Sequence, residues 1–347
     1  MEHELTTRSA RGPIRNFWRT HRRLFWMLHS IWALVTGTAV VLLARERYAL
    51  VLWVGVFLAL TWASTLYFGG VPVATPRGHG APPPLAHEVT SYLTRVMYQE
   101  TLFFLLPFYA YSTVVRSPNV VFLALLGGLA FFSCLDLVFD RWLRTRPAFG
   151  LAYFAIVAFA ALNLLVPLVF GVRVRFATPA AAIAAMALAA PLALRAAPRS
   201  RGMLPRFVLA GAGFLALAVG VPALVPPVPL RLQRATWATS IDRQTLALRD
   251  TLRSPTSAAS VGPSLAVLVE VFAPTDLPTQ VALEWKRDGS TVRESRPIDI
   301  TANQSGFRVW DAWHPTDGVV PPGAYEVVLR TQGNRVFGVA RLRVTPN

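Results

Sequence analysis

Polar side chains stranded in apolar surroundings are where chemistry is sought first, because burying them is costly. Glu100 follows Gln99 at the opening of one long apolar run. Asp136 and Asp140 stand four apart at the end of another, on one face of a helix, where two carboxylates can share a proton or hold a cation. Arg141 and Arg144 follow at once, so ion pairing at an interface is the plainer reading of the pair. Asn163 sits in mid-run, where a hydrogen bond between helices is expected. His29, about one turn into the first run, reads as a packed or interfacial histidine rather than a proton carrier.

The last third of the chain holds a second group: Trp285, Arg308, Trp310, Trp313 and His314. Trp285 suits the buried tryptophan of a β-sandwich. Trp310 and Trp313 are three apart, so on a strand they point to opposite faces, and Arg308 shares the face of Trp310. An exposed Arg–Trp surface can bind carbohydrate or a protein partner, and stacking within the domain is the alternative. No His-Glu-x-x-His, Cys-x-x-Cys, Walker loop or Gly-x-Ser-x-Gly occurs, so no catalytic residue, metal or cofactor is expected. Gly211-Ala212-Gly213 opens like a dinucleotide fingerprint but lies within an apolar run, where close helix packing is its expected use.

The elements that must position these residues divide at a seam, residues 207–231, where an apolar run ends in Pro222, Pro226, Pro227 and Pro229. Up to and including the apolar part of the seam, seven runs are long enough, or nearly so, to cross a bilayer core of roughly 30 Å. They are Leu24–Ala44, Tyr48–Phe68, Met97–Val115, Val120–Leu135, Phe149–Gly171, Phe176–Leu194 and Phe207–Val225. The sixth is the weakest, being mostly alanine between Pro179 and Pro191. In the seventh, Ala212, Ala216 and Gly220 at four-residue spacing predict a face that packs tightly into the bundle. Residues 85–96 predict an amphipathic interfacial helix feeding the third run, and Pro107 and Pro167 predict kinks. After the seam the period changes from helical to alternating. Val281, Leu283 and Trp285 alternate with Ala282, Glu284 and Lys286, then Asp288-Gly289 marks a hairpin. About seven short strands follow one another at the spacing of an immunoglobulin-like sandwich.

The expected fold is therefore a membrane all-α bundle of about seven transmembrane helices plus a C-terminal all-β immunoglobulin-like sandwich. Its parts are a basic N-terminus (1–23), the helical domain (24–225), a stiff proline-rich linker (226–232) and the sandwich (233–347). Charged residues make up 15% of the chain against about 25% in globular proteins, and the deficit lies before the seam. The net charge of +16 is concentrated there too, in arginines clustered between apolar runs, which fits membrane topology rather than nucleic-acid binding. With the N-terminus inside, 15 arginines fall in inner segments and 5 in outer loops, which puts the sandwich outside. Cys134 is the single cysteine, so an external domain folds without an internal disulfide. The first run is too long for a cleaved signal and reads as a retained anchor.

Three stretches carry a resemblance: Leu283-Glu284-Trp285-Lys286-Arg287-Asp288-Gly289, Phe307-Arg308-Val309-Trp310 and Pro322-Gly323-Ala324-Tyr325-Glu326-Val327. Residues 233–345 resemble the bacterial domain of unknown function 2914 (DUF2914), and the layout before them is similar to the multi-span domain of unknown function 5924 (DUF5924). Members of the former often carry a histidine where this chain has Leu283. The resemblance implies a multi-pass inner-membrane protein with a periplasmic β domain and supplies no activity. The leading expectation is a non-enzymatic protein, embedded in the lipid bilayer, whose sandwich binds an envelope protein or glycan polymer. The alternative is a transporter or membrane-embedded enzyme using Glu100, Asp136 or Asp140, with the sandwich as an accessory lid and a polar cavity among the third, fourth and fifth runs. A sensor signalling inward is a third reading, but the chain shows no recognisable cytoplasmic output domain.

Overall fold

A computed structural model describes residues 85–197, 202–273, 279–300, 303–331 and 334–346, with isolated helical positions at 31, 35, 55, 56, 58–60 and 62. The basic N-terminus, His29 and most of the first two expected spans lie outside the described residues. From residue 85 on, the described residues form six helices before the β domain: α1 (Leu85–Tyr111), α2 (Val120–Cys134), α3 (Asp136–Thr145), α4 (Pro147–Phe170), α5 (Val174–Ala196) and α6 (Met203–Gly220). Three of them, α4, α5 and α6, are long and apolar enough to cross a membrane, which marks the chain as a membrane protein.

The expected interfacial segment and third run form one continuous 27-residue helix, α1. It runs on through Pro107, as α4 runs on through Pro167. The 15 residues of α2 span roughly 22 Å, less than a hydrocarbon core. The helix breaks at Leu135, whose ψ of 67° is far from helical, and restarts as α3. Asp136 and Asp140 thus belong to a separate short helix, not to the end of the fourth run. The alanine-rich α5 is a full helix of 23 residues. Its Ala177, Ala181, Ala185, Ala189 and Ala193 form a buried row at four-residue spacing, which lets neighbouring helices approach closely.

The seventh run packs differently from its small-residue pattern. Ala212, Ala216 and Gly220 are exposed, and α6 meets the bundle through Phe207, Phe214, Leu215 and Ala218. The alanine row of α5 already supplies the small surface, so α6 offers bulk: Phe214 packs edge-on against Phe159 with ring centroids 5.0 Å apart. Gly211 also faces inward, and a Cβ there would meet Met186 Cε at 2.6 Å. The run ends as a helix at Gly220, and a single 3-10 turn, Pro222–Leu224, follows.

The proline-rich segment is not an exposed stalk. Val225 to Leu230 are all buried. Val225 and Val228 belong to the hydrophobic core of the bundle, while Leu230 belongs to that of the β domain. The connector is short and its prolines bring few N–H groups, so it can be buried where an ordinary loop would strand backbone donors.

Ten strands follow: β1 (Arg231–Ile241), β2 (Leu248–Leu252), β3 (Thr256–Ser257), β4 (Leu265–Ala273), β5 (Thr279–Arg287), β6 (Ser290–Glu294), β7 (Ile298–Ile300), β8 (Asn303–Trp313), β9 (Gly323–Thr331) and β10 (Arg335–Thr345). They make a four-stranded sheet in the order β2-β1-β4-β8 and a six-stranded sheet in which β3-β10-β9-β5-β6 are neighbours and β7 also pairs with β5. Pairing is antiparallel except between β3 and β10. The alternation read from the sequence is obeyed: Val281, Leu283 and Trp285 share a core with Val267, Val269 and Val271 of the other sheet. Asp288 and Gly289 take positive φ values of 50° and 86°, as a two-residue hairpin requires. The short strands β2 and β3 were not among the expected runs; β2 is Leu-Arg-Asp-Thr-Leu, whose three central residues are exposed, and β3 is a two-residue bridge.

Candidate functional site

The β domain and the helices meet in a buried polar contact. Arg335 begins β10 and is 2% exposed. Its Nη1 donates to Thr178 Oγ1 of α5 at 2.6 Å. Thr178 donates to Asn163 Oδ1 of α4 at 2.8 Å, and Asn163 Nδ2 donates to Tyr109 OH of α1 at 3.1 Å. Tyr109 OH then donates to the Ala160 carbonyl at 2.9 Å. Each hydroxyl accepts one bond and gives one, so the four bonds run in a single direction away from the guanidinium. The negative end of every dipole in the chain therefore points toward the charge, and successive bonds polarise one another. No carboxylate pairs with Arg335 among the described residues, and its Nε has no partner there. Burial lowers its pKa to about 10, which still leaves it charged at neutral pH.

The surrounding contacts hold the same junction. Asn119, the residue before α2, is fully buried and its Nδ2 donates to the Val336 carbonyl at 2.7 Å. Arg116, in the α1–α2 loop, lies 3.9 Å from Glu326 of β9. Arg231 at the start of β1 has its guanidinium carbon 5.2 Å from the ring centre of Tyr111 and 4.8 Å from that of Phe272. Val174 of α5 packs into the β-domain core. Asn163 was singled out in the sequence, but its partners were not. Thr178 is masked by alanines, and Arg335 reads as an ordinary polar strand end after the Gly333-Asn334 turn.

The expected binding residues divide between two faces. On the outer face of the four-stranded sheet, Arg234, Glu270 and Arg308 stand side by side across β1, β4 and β8, with Thr236, Leu268 and Trp310 in the next row. Arg308 is exposed and its Nε lies 3.3 Å from Glu270 Oε1. Trp310 is half-buried, and Arg243 reaches to 5.8 Å from its ring centre. Trp313 points the other way and packs on Tyr325 with centroids 5.7 Å apart, and His314 is exposed beyond the strand end. Trp313 thus serves the core and does not join Arg308 and Trp310. Trp285 is fully buried against Trp237, and its Nε1 donates to Asp311 Oδ2 at 2.9 Å. Asp311 also pairs with Arg293 at 3.2 Å.

The three candidate acids fall on two helices. Glu100 is half-buried on α1, while positions 136 and 140 lie on α3. The space between α1, α2 and α4 is filled by rings: Tyr98 on Tyr153 at 5.0 Å, Tyr109 on Phe122 at 5.3 Å and Phe122 on Phe159 at 5.7 Å. Gln99 and Tyr153 spend their donors on the Ser133 and Leu129 carbonyls of α2. No group of three or more possible metal ligands occurs among the described residues.

Residues 8–261 match the profile of a family of unknown function, DUF5924. The chain belongs to the DUF5924 family. No curated protein matches it. The DUF5924 region does not stop at the seam, where the sequence reading ends the helical part. It continues through β1, β2 and β3 to the turn at Ala258–Ser260. The helices, the buried connector and the first strands of the β domain thus fall within one DUF5924 unit.

Proposed function

We propose that this is a seven-span inner-membrane protein of a bacterial envelope that holds an immunoglobulin-like sandwich against the periplasmic side of the bilayer. There the sandwich binds an envelope protein or a polymer. The observation that carries the proposal is the outer face of the four-stranded sheet, where Arg234 and Arg308 flank Glu270 beside Trp310. These groups sit on strands rather than loops, and the strands are fixed to the bundle at Arg231 and Tyr111. Rigid placement lowers the ordering cost of binding.

Several features support the finer points. The order β1-β4-β8 in one sheet and β10-β9-β5 in the other, with β3 parallel to β10, supports an immunoglobulin-like Greek key. Tyr325 OH donates to the Pro321 carbonyl at 2.7 Å, in the manner of a tyrosine corner. The resemblance of residues 233–345 to DUF2914, of which 233–261 fall within the DUF5924 match, belongs to the same proposal. Arg141, Arg146, Arg195 and Arg206 lie at helix ends opposite the β domain, which favours that side as cytoplasmic.

The test is capture by the full-length protein in detergent, from envelope extracts and from purified cell-wall and outer-membrane polymers. Wild type is expected to retain one partner or polymer, and Arg308→Ala with Trp310→Ala to lose at least about tenfold in affinity, as a two-residue aromatic and arginine hot spot would. Equal retention by both proteins, or retention by neither, counts against this surface.

A further inference from the structure

We propose that the face of α3 turned away from the bundle is a binding site for the phosphate headgroup of an anionic lipid. The chain leaves α2 at Leu135, runs ten residues as α3, and enters the membrane-crossing α4 at Pro147, so α3 lies at the membrane boundary opposite the β domain. Phe139 and Leu143 bury one side of the helix in the bundle. Another side, with Arg146 just past the helix end, lines a pocket of about 410 Å³ formed by Val138, Arg141, Trp142, Thr145 and Arg146. By helical spacing, positions 136 and 140 lie off this strip.

One wall of this half-open groove is fixed by the bundle. Trp142 is held from the bundle side by Phe132 and Phe149, with ring centroids at 5.6 and 5.3 Å. Its indole carries the Arg146 guanidinium 4.3 Å from the ring centre. Arg146 is thereby oriented, and Arg141 stands on the other side of Trp142. Neither arginine pairs with a carboxylate among the described side chains, and both are exposed. The Arg146 guanidinium, oriented on the indole, and the exposed Arg141 suit the oxygens of one phosphate, and Val138 and the indole edge suit the first carbons of the acyl chains, while the Thr145 hydroxyl is already given to the Arg141 carbonyl. A tryptophan at this depth is the usual interface anchor.

The test uses the full-length protein in nanodiscs of mixed phosphatidylcholine and phosphatidylglycerol, with native mass spectrometry of the lipids it keeps. Wild type should retain phosphatidylglycerol in preference. The double variant Arg141→Gln/Arg146→Gln should lose that preference by about fivefold for each arginine. Arg141→Lys/Arg146→Lys, which keeps the charge but loses the planar fork and its stacking on Trp142, should keep an intermediate preference and guards against a folding defect. Arg195→Gln/Arg206→Gln removes two exposed arginines from the same side and should change it little. Equal loss from the two glutamine variants would reduce the effect to diffuse charge and overturn the site. Displacement of the retained lipid by inorganic phosphate alone would make it a soluble-anion site and overturn the lipid assignment.

Discussion

Arg335 shows how a lone charge is accommodated at a membrane-domain junction. A buried guanidinium is tolerated when oriented dipoles replace water, and the Thr178–Asn163–Tyr109 chain supplies them in one direction. Members of such a chain depend on one another. Thr178→Val and Asn163→Leu should each lower stability by about 1–3 kcal/mol, and the double variant should cost less than their sum by at least about 0.5 kcal/mol. Thermal melting of the four proteins in detergent reads this coupling; strict additivity would mean that the bonds act independently. On the outer face of the six-stranded sheet, Glu284 accepts from Thr291 and Arg330 and lies 3.5 Å from Lys286. Burial pushes its carboxyl up, but the two hydrogen bonds and the charges of Arg330 and Lys286 outweigh burial and hold it below the usual value. A depressed pKa gives stability that is present above the unfolded value, about 4.3, and is lost as pH falls through the folded one. Glu284→Gln should therefore cost about 1.5–3 kcal/mol at neutral pH, and its melting curve should converge on wild type in acid.

Between elements, close approach decides the packing. Gly338 lies at a bulge in β10, and Leu232 lies at a bulge in β1 of the opposite sheet. A Cβ at Gly338 would meet Leu232 Cβ at 2.6 Å, an atom next to the backbone that cannot swing aside. Gly338→Ala should push the two sheets apart locally and cost about 1–3 kcal/mol, read as a lower melting temperature of the β-domain signal. Gly211 faces a different neighbour. Its added Cβ would meet the flexible end of Met186, which can move, so the position tolerates alanine far better. The period of each run, apolar length before residue 225 and strict alternation after 265, showed helices and strands directly. The face by which α6 packs was hidden, because a four-residue repeat of small residues and a neighbouring stripe of large ones fit equally well in isolation. The alanine row on α5 settled the choice.

For the molecule as a whole, the buried connector and the polar chain join two different solvents' worth of fold into one body. Val225 and Val228 complete the bundle while Leu230, two residues later, completes the β domain. Removing the β domain would expose Asn119, Thr178 and the ends of α1 and α5, so the two parts support each other. In the topology proposed above, the N-terminus of α6 near Arg206 and the β domain lie at opposite ends of that helix. Reporter fusions after Arg206 and after Asn347 should report cytoplasmic and periplasmic locations respectively, and the same location for both would remove the crossing by α6.

The sequence by itself determined that helices precede strands, that the helices are membrane-like, and that Asn163 and Trp285 are buried. Those facts depend on local composition and period, which a single chain displays. Tertiary structure decided that Asp136 and Asp140 belong to a separate short helix, that the proline segment is buried between two cores, and that Arg335 reaches into the helical bundle. None of these is local: residue 335 meets residue 178 across 157 positions of chain, and only the packed fold determines which distant polar groups share a low-dielectric space.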